Sequence, residues 1–138
     1  MKTIDKEFVP HEQSLELKEL GFDEPCFGFY IAGQLMVTAD SVYNSTDIPI
    51  VKAPTFSQTF RWLREKYQIF PEVLTDCTTE PKFVYTYNTF YGNPKDLTEQ
   101  EWGWENNIGQ YSDIYRTYEE AELACLDKLI EIVENKTK

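Results

Sequence analysis

In residues 117–133, TYEEAELACLDKLIEIV, apolar side chains return every three or four positions, the spacing that lines one face of an α-helix. Ala121, Cys125, Leu129 and Ile132 or Val133 form the stripe, widened by Leu126 and Ile130, while Glu122, Asp127, Lys128, Glu131 and Glu134 fall mostly outside it. Thr117 is placed to cap the start, with Glu120 three residues on as its reciprocal partner, and Glu119, Glu120 and Glu122 complement the helix dipole. A helix with one buried and one wet face is predicted there. The same period recurs in residues 55–67, where Phe56, Phe60, Leu63 and Tyr67 are helically spaced beside Trp62 and Pro54 stands at the mouth as a first-turn proline. A third, shorter helix is predicted over residues 10–20. Pro10 would sit in its first turn, Leu17 and Leu20 on one side with Leu15 nearby, and Gly21 just past its end.

Other stretches change period. CFGFYIAGQLMVTA holds two apolar runs around Ala32, Gly33 and Gln34, a hairpin pattern. FVYTYNTFY, within residues 82–91, alternates Phe83, Tyr85, Tyr87 and Tyr91 against Val84, Thr86, Asn88 and Phe90, so a strand is predicted. The signal between Pro71 and Glu80 is weak, with Val73 and Leu74 in a short strand before a turn. Residues 97–115 hold Trp102, Trp104, Ile108, Tyr111, Ile114 and Tyr115 among polar residues and glycines, and read as one or two strands or an aromatic-anchored loop. Before the first helix, Phe8 and Val9 form an arm that docks by those two side chains. Residues 40–54 read as a surface connection in which Ile48, Ile50 and Val51 touch the core. The expectation is a single α+β domain spanning residues 1–138, with about four mostly antiparallel strands and three helices in the order α-β-β-α-β-β-α.

A chain of 138 residues can bury about two-thirds of its unfolded surface without metals or disulfides. Its net charge of −11 opposes binding to nucleic-acid backbones and to anionic lipid, so a charged partner would be basic. The acidity is uneven: residues 96–122 hold eight acids against Arg116 alone. Cys26, Cys77 and Cys125 are far apart and have no second histidine near them, which gives neither a disulfide framework nor a zinc site, and each reads as a small hydrophobe. The N-terminal residues lack an apolar signal core, and no run reaches the ~18 apolar residues of a membrane span. A cytoplasmic protein without a membrane partner is expected, its oligomeric state left open, homodimer included.

Candidate chemistry is sparse. His11 is the only histidine, and it reads as a surface residue at the start of an exposed helix. No carboxylate spacing preorganises a metal, no glycine loop cradles a phosphate, and Glu101 with Glu105 reads as a solvated face; no cofactor and no catalytic residue is expected. The candidate binding residues are Tyr85, Tyr87, Tyr91, Trp102, Trp104 and Tyr111, because tyrosine and tryptophan combine contact area with a polar handle. Arg61 and Arg64, with Lys66, add a locally basic surface on residues 55–67. Twenty-one aromatics are also what a core and its rim could use, and the sequence leaves the two open.

The segments EFVPHEQSLELKELGFDEPCF, FRWLREKY and YRTYEEAELACLDKLIEIV resemble those of uncharacterised short acidic proteins of Bacteroidota phages and mobile elements. The resemblance spans the beginning, middle and end of the chain and transfers no residue role. It implies an accessory protein of viral or prophage origin, a class rich in binders of host proteins. The preferred expectation is a non-enzymatic protein that binds a basic partner through its acidic C-terminal half. The alternative is a small-ligand domain that holds a nucleotide-like anion in an aromatic pocket near Arg61, Arg64 or Lys82; a hydrolase using scattered carboxylates is third.

Overall fold

Strand pairing turns these patterns into an α+β fold. The computed structural model describes residues 6–37, 50–76, 82–91, 103–106 and 114–137. Their elements are α1 (His11–Glu19), β1 (Gly28–Ile31), β2 (Gln34–Val37), β3 (Ile50–Ala53), α2 (Phe56–Tyr67), β4 (Ile69–Asp76), β5 (Lys82–Tyr91), β6 (Gly103–Asn106) and α3 (Tyr118–Thr137). The strands form two antiparallel sheets, ordered β2-β1-β3 and β4-β5-β6. No helix among the described residues is long and apolar enough to cross a membrane. The chain divides into two compact units, residues 1–59 with 130–138, and residues 60–129, the divisions falling within α2 and α3.

In the first unit, β1 is central and its first three residues are buried. Phe8, Tyr30, Val51 and Ala53 form a core cluster that Leu35 packs against. The arm docks as expected: Phe8 bridges Thr55, and the Val9 amide donates to the Pro54 carbonyl at 2.9 Å. The Val9 carbonyl in turn accepts from the buried Tyr30 hydroxyl at 2.7 Å and from Ser14 Oγ at 3.2 Å. Ile50 and Val51, read from sequence as passing contacts in a connection, instead belong to strand β3. Its order comes from pairing, since Val51 lies opposite Tyr30 and Ala53 opposite Gly28. Ile48 is outside the described residues.

Helix α1 departs from its predicted start and face. Pro10 is the N-cap and not a first-turn residue: its backbone is extended and its carbonyl accepts the Ser14 amide. The buried face is Gln13, Ser14 and Leu17, while Leu15 is exposed and Leu20 half-buried. The end matches expectation. Gly21, at φ 97°, follows the C-cap, with Gly21 N–H on the Lys18 carbonyl and Phe22 N–H on that of Leu17, the paired bonds of a Schellman motif. Phe22 and Leu17 are both buried, as that motif favours.

The β1–β2 hairpin closes through Ala32 and Gly33, whose φ angles of 50° and 79° are both positive. A two-residue loop of type I′ requires this, and it suits glycine and asparagine better than alanine. Ala32→Asn is therefore expected to raise the stability by about 0.5–1 kcal/mol, read as a higher urea midpoint at constant m-value.

Helix α2 begins one residue beyond the predicted start. Thr55 is the N-cap, its Oγ1 accepting the Gln58 amide at 3.1 Å, so Pro54 precedes the cap. The Gln58 side chain donates to the Pro25 carbonyl at 2.8 Å. At the other end Gln68 takes the position that usually holds glycine, with φ 56° and its amide on the Arg64 carbonyl at 3.0 Å.

In the second unit β4 runs for eight residues and includes Pro71. Phe83 and Tyr115 exchange two backbone hydrogen bonds, of 2.9 and 2.8 Å, on one side of β5. Alternation along an antiparallel ladder then makes Phe83–Thr75, and four residues further Tyr87–Pro71, non-hydrogen-bonded pairs on the β4 side. The missing proline N–H is thus not one the ladder uses, and among the described residues β4 is an edge strand. Contrary to a simple inside–outside alternation, residues 82–88 of β5 are all half-buried.

Along α3, Ala121, Cys125, Leu126, Leu129, Ile130 and Val133 are buried, and Val133 rather than the half-buried Ile132 completes the stripe. Thr117 caps it as expected, Oγ1 accepting the Glu120 amide at 3.1 Å.

Candidate aromatic and acidic binding face

Strand β5 places Phe83, Tyr85 and Tyr87 on one side of its sheet, because residues two apart in a strand share a face. The bridge at Tyr115 brings a second segment beside them. The Tyr115 ring stacks on that of Tyr85, with centroids 6.3 Å apart and planes inclined by 24°. Three residues on, in the first turn of α3, the Tyr118 ring meets Phe83 edge to face, at 6.0 Å and 84°. Both are geometries that aromatic quadrupoles favour. The Thr117 cap fixes this turn, so strand pairing and helix capping together set where the rings lie.

The rim of this group is apolar and acidic. Ile114 is 58 % exposed and Tyr118 46 % exposed, and Glu119 and Glu120 are exposed beside them. Burial, then Glu122, Cys125 and Glu119, hold the Tyr118 phenol above its ordinary pKa, so at neutral pH it is a neutral hydrogen-bond donor and acceptor. Ring faces together with carboxylates suit a cationic or amphipathic side chain, which rings attract through their quadrupole and carboxylates by charge.

The predicted site residues are only partly brought together. Tyr85 joins the ring cluster, and Tyr87 shares its strand face and is half-buried. Tyr91 ends β5 opposite Gly103, and Trp104 lies opposite Phe90 in register; their side chains, like Trp102 and Tyr111 entirely, are outside the described residues. Arg61 is exposed and Arg64 half-buried on α2. Lys66, on the same helix, lies over the rings of Trp62 and Tyr67 at 5.1 and 5.5 Å, so part of that basic surface is held on aromatic faces. Sequence reasoning missed Phe83, Ile114, Tyr115 and Tyr118 as site residues. The available signal was position, since Tyr115 and Tyr118 flank the capping Thr117.

The remaining reactive groups are quiet. His11, expected on the surface, is half-buried against Tyr30, with ring centroids 5.0 Å apart. Burial, ahead of the opposed effects of Lys52 and Glu24, pushes the Cys26 thiol up to about 11. Burial and then Glu122 push Cys125 up to about 12. Neither is a thiolate at neutral pH, which removes the nucleophilic form. Cys77 is outside the described residues. Among those residues no group of three or more His, Cys, Asp or Glu side chains is placed to hold a metal ion.

Compared with protein-family models, curated proteins and solved structures, the chain matches none.

Proposed function

We propose that this chain is a non-enzymatic accessory protein of a phage or mobile element that acts by binding a basic protein partner. The observation that carries the reading is the exposure of Ile114 and Tyr118 beside Glu119 and Glu120, on a backbone fixed by the Phe83–Tyr115 bridge and the Thr117 cap. Exposed tyrosine and isoleucine supply contact area, and the neighbouring acids select the partner's sign and speed its approach. The charge surplus supports the same choice, since basic surfaces are attracted and nucleic-acid phosphates repelled.

The test uses a fluorescent Arg/Leu-rich peptide and its Glu/Leu-rich counterpart, titrated with the full chain. The basic peptide is expected to bind, and to weaken steeply as salt rises beyond ~0.15 M, where the Debye length is about 8 Å. Tyr118→Ala is expected to cost about tenfold or more in affinity, with a smaller fall in the unfolding midpoint than a fully buried ring would give, because Tyr118 is 46 % exposed. Equal binding of both peptides, or salt-independent affinity, would overturn the proposal.

A further inference from the structure

The first unit contains a cleft of about 140 Å³ lined by Ser14, Lys18, Phe22, Asp23, Ile50 and Lys52. Three local features build it. The Schellman turn after α1 leads into Phe22 and Asp23, α1 supplies Ser14 and Lys18 one turn apart, and β3 contributes Ile50 and Lys52 from alternate positions. Its floor is apolar, since Phe22 is buried and Ile50 half-buried. Its charge is unusual for this chain, two ammonium groups against one carboxylate. Lys52 Nζ donates to Asp23 Oδ1 at 2.9 Å and to the Asp23 carbonyl at 3.1 Å. An ammonium has three donors, so among the described residues one N–H of Lys52 is uncommitted. Lys18 is exposed and makes no ion pair among the described residues. The Ser14 hydroxyl is already donated to Val9 and serves only as wall.

We propose that this cleft binds a small amphipathic monoanion, a short-chain carboxylate whose tail lies against Phe22 and Ile50 and whose charge lies between Lys18 and Lys52. Size and charge set the class. A cavity of about 150 Å³ accommodates a molecule the size of benzene, so the cleft encloses a group of that size and most of a nucleotide would lie outside it. The three charged groups sum to a single positive charge, which one carboxylate neutralises and a dianion would exceed. The Asp23 side chain is 91 % exposed; it holds Lys52 in place from the solvent side and repels a second negative charge.

The experiment is an NMR titration of the full chain with sodium butyrate, against sodium chloride at equal ionic strength and against inorganic phosphate and succinate. Saturable shifts are expected at the amides of Phe22, Asp23, Ile50 and Lys52 with butyrate. Lys18→Gln is expected to weaken binding about fivefold, the value of one charge contact at 4 Å in water, and to leave signals away from the cleft unchanged. Asp23→Asn is expected to tighten butyrate and to admit the dianions. Linear shifts without saturation, or Lys18→Gln and Asp23→Asn curves identical to the parent, would overturn the site. Tighter binding of phosphate or succinate than of butyrate by the parent chain would overturn the monoanion assignment.

Discussion

Leu129→Ala is expected to lower the unfolding free energy by about 2–5 kcal/mol, because it leaves a cavity in a site that relaxes only partly. Leu129 is fully buried on α3, one turn from Cys125, which is equally inaccessible. The thiol therefore reports on the same packing. In the parent chain, peptide mapping after brief exposure to a thiol reagent should find Cys125 unmodified, since burial shields it and holds it protonated. In Leu129→Ala its labelling should accelerate along with the fall in the urea midpoint. Rapid labelling of Cys125 in the parent would contradict the buried stripe. A loss well under ~1 kcal/mol would mean that the neighbouring side chains collapse into the vacated space.

Gly28→Ala is the second large effect, and it acts through crowding. An added Cβ would stand 2.8 and 2.9 Å from ring carbons of Phe8 and 3.0 Å from the Ala53 carbonyl oxygen. The carbonyl belongs to the β3 ladder opposite Gly28, and the Phe8 ring is buried in the core cluster, so neither has open space into which to retreat. Overpacking of this kind costs about 1–3 kcal/mol, measurable by chemical denaturation. If the Phe8 ring is the main obstacle, the same substitution in a Phe8→Leu background should cost less, giving a coupling of the two sites. Equal losses in both backgrounds would place the clash at the β3 carbonyl.

These sites differ in how far the sequence announced them. The α3 stripe and its cap were legible because both are local: Thr117 and Glu120 are three residues apart, and the stripe needs only the helical period. The end of α1 was legible through Gly21. What depended on pairing between distant segments was not. Strand β3 is four residues between a polar stretch and a helix, and it is a strand because Tyr30 and Gly28 lie opposite it. Strand β4 is broken in sequence by Pro71, which argues against a central strand; only the register with Tyr87 shows that its N–H is not needed. The proline rule also misplaced two helix starts, at Pro10 and Pro54, where capping or pre-capping positions accept proline equally well. The aromatic site was half legible for a similar reason. Tyr85 and Tyr87 were visible in the alternation of β5, but Tyr115 and Tyr118 reach its face only through a bridge between residues about 30 apart.

The division of the chain has a consequence for the order in which it is made. The first unit draws on residues 1–59 and also on 130–138, so its amino-terminal portion leaves the ribosome before the residues that complete it exist. At ordinary elongation rates the 70 intervening residues, 60–129, take about 3.5–14 s to synthesise. That is long compared with the microseconds in which a hairpin such as β1–β2 forms. During that interval Phe8, Val9 and the apolar face of β1 must either settle into an incomplete core or wait, which exposes them to chaperones and to other nascent chains. Synonymous codons that slow translation between β3 and α3 would lengthen this exposure without altering a single side chain.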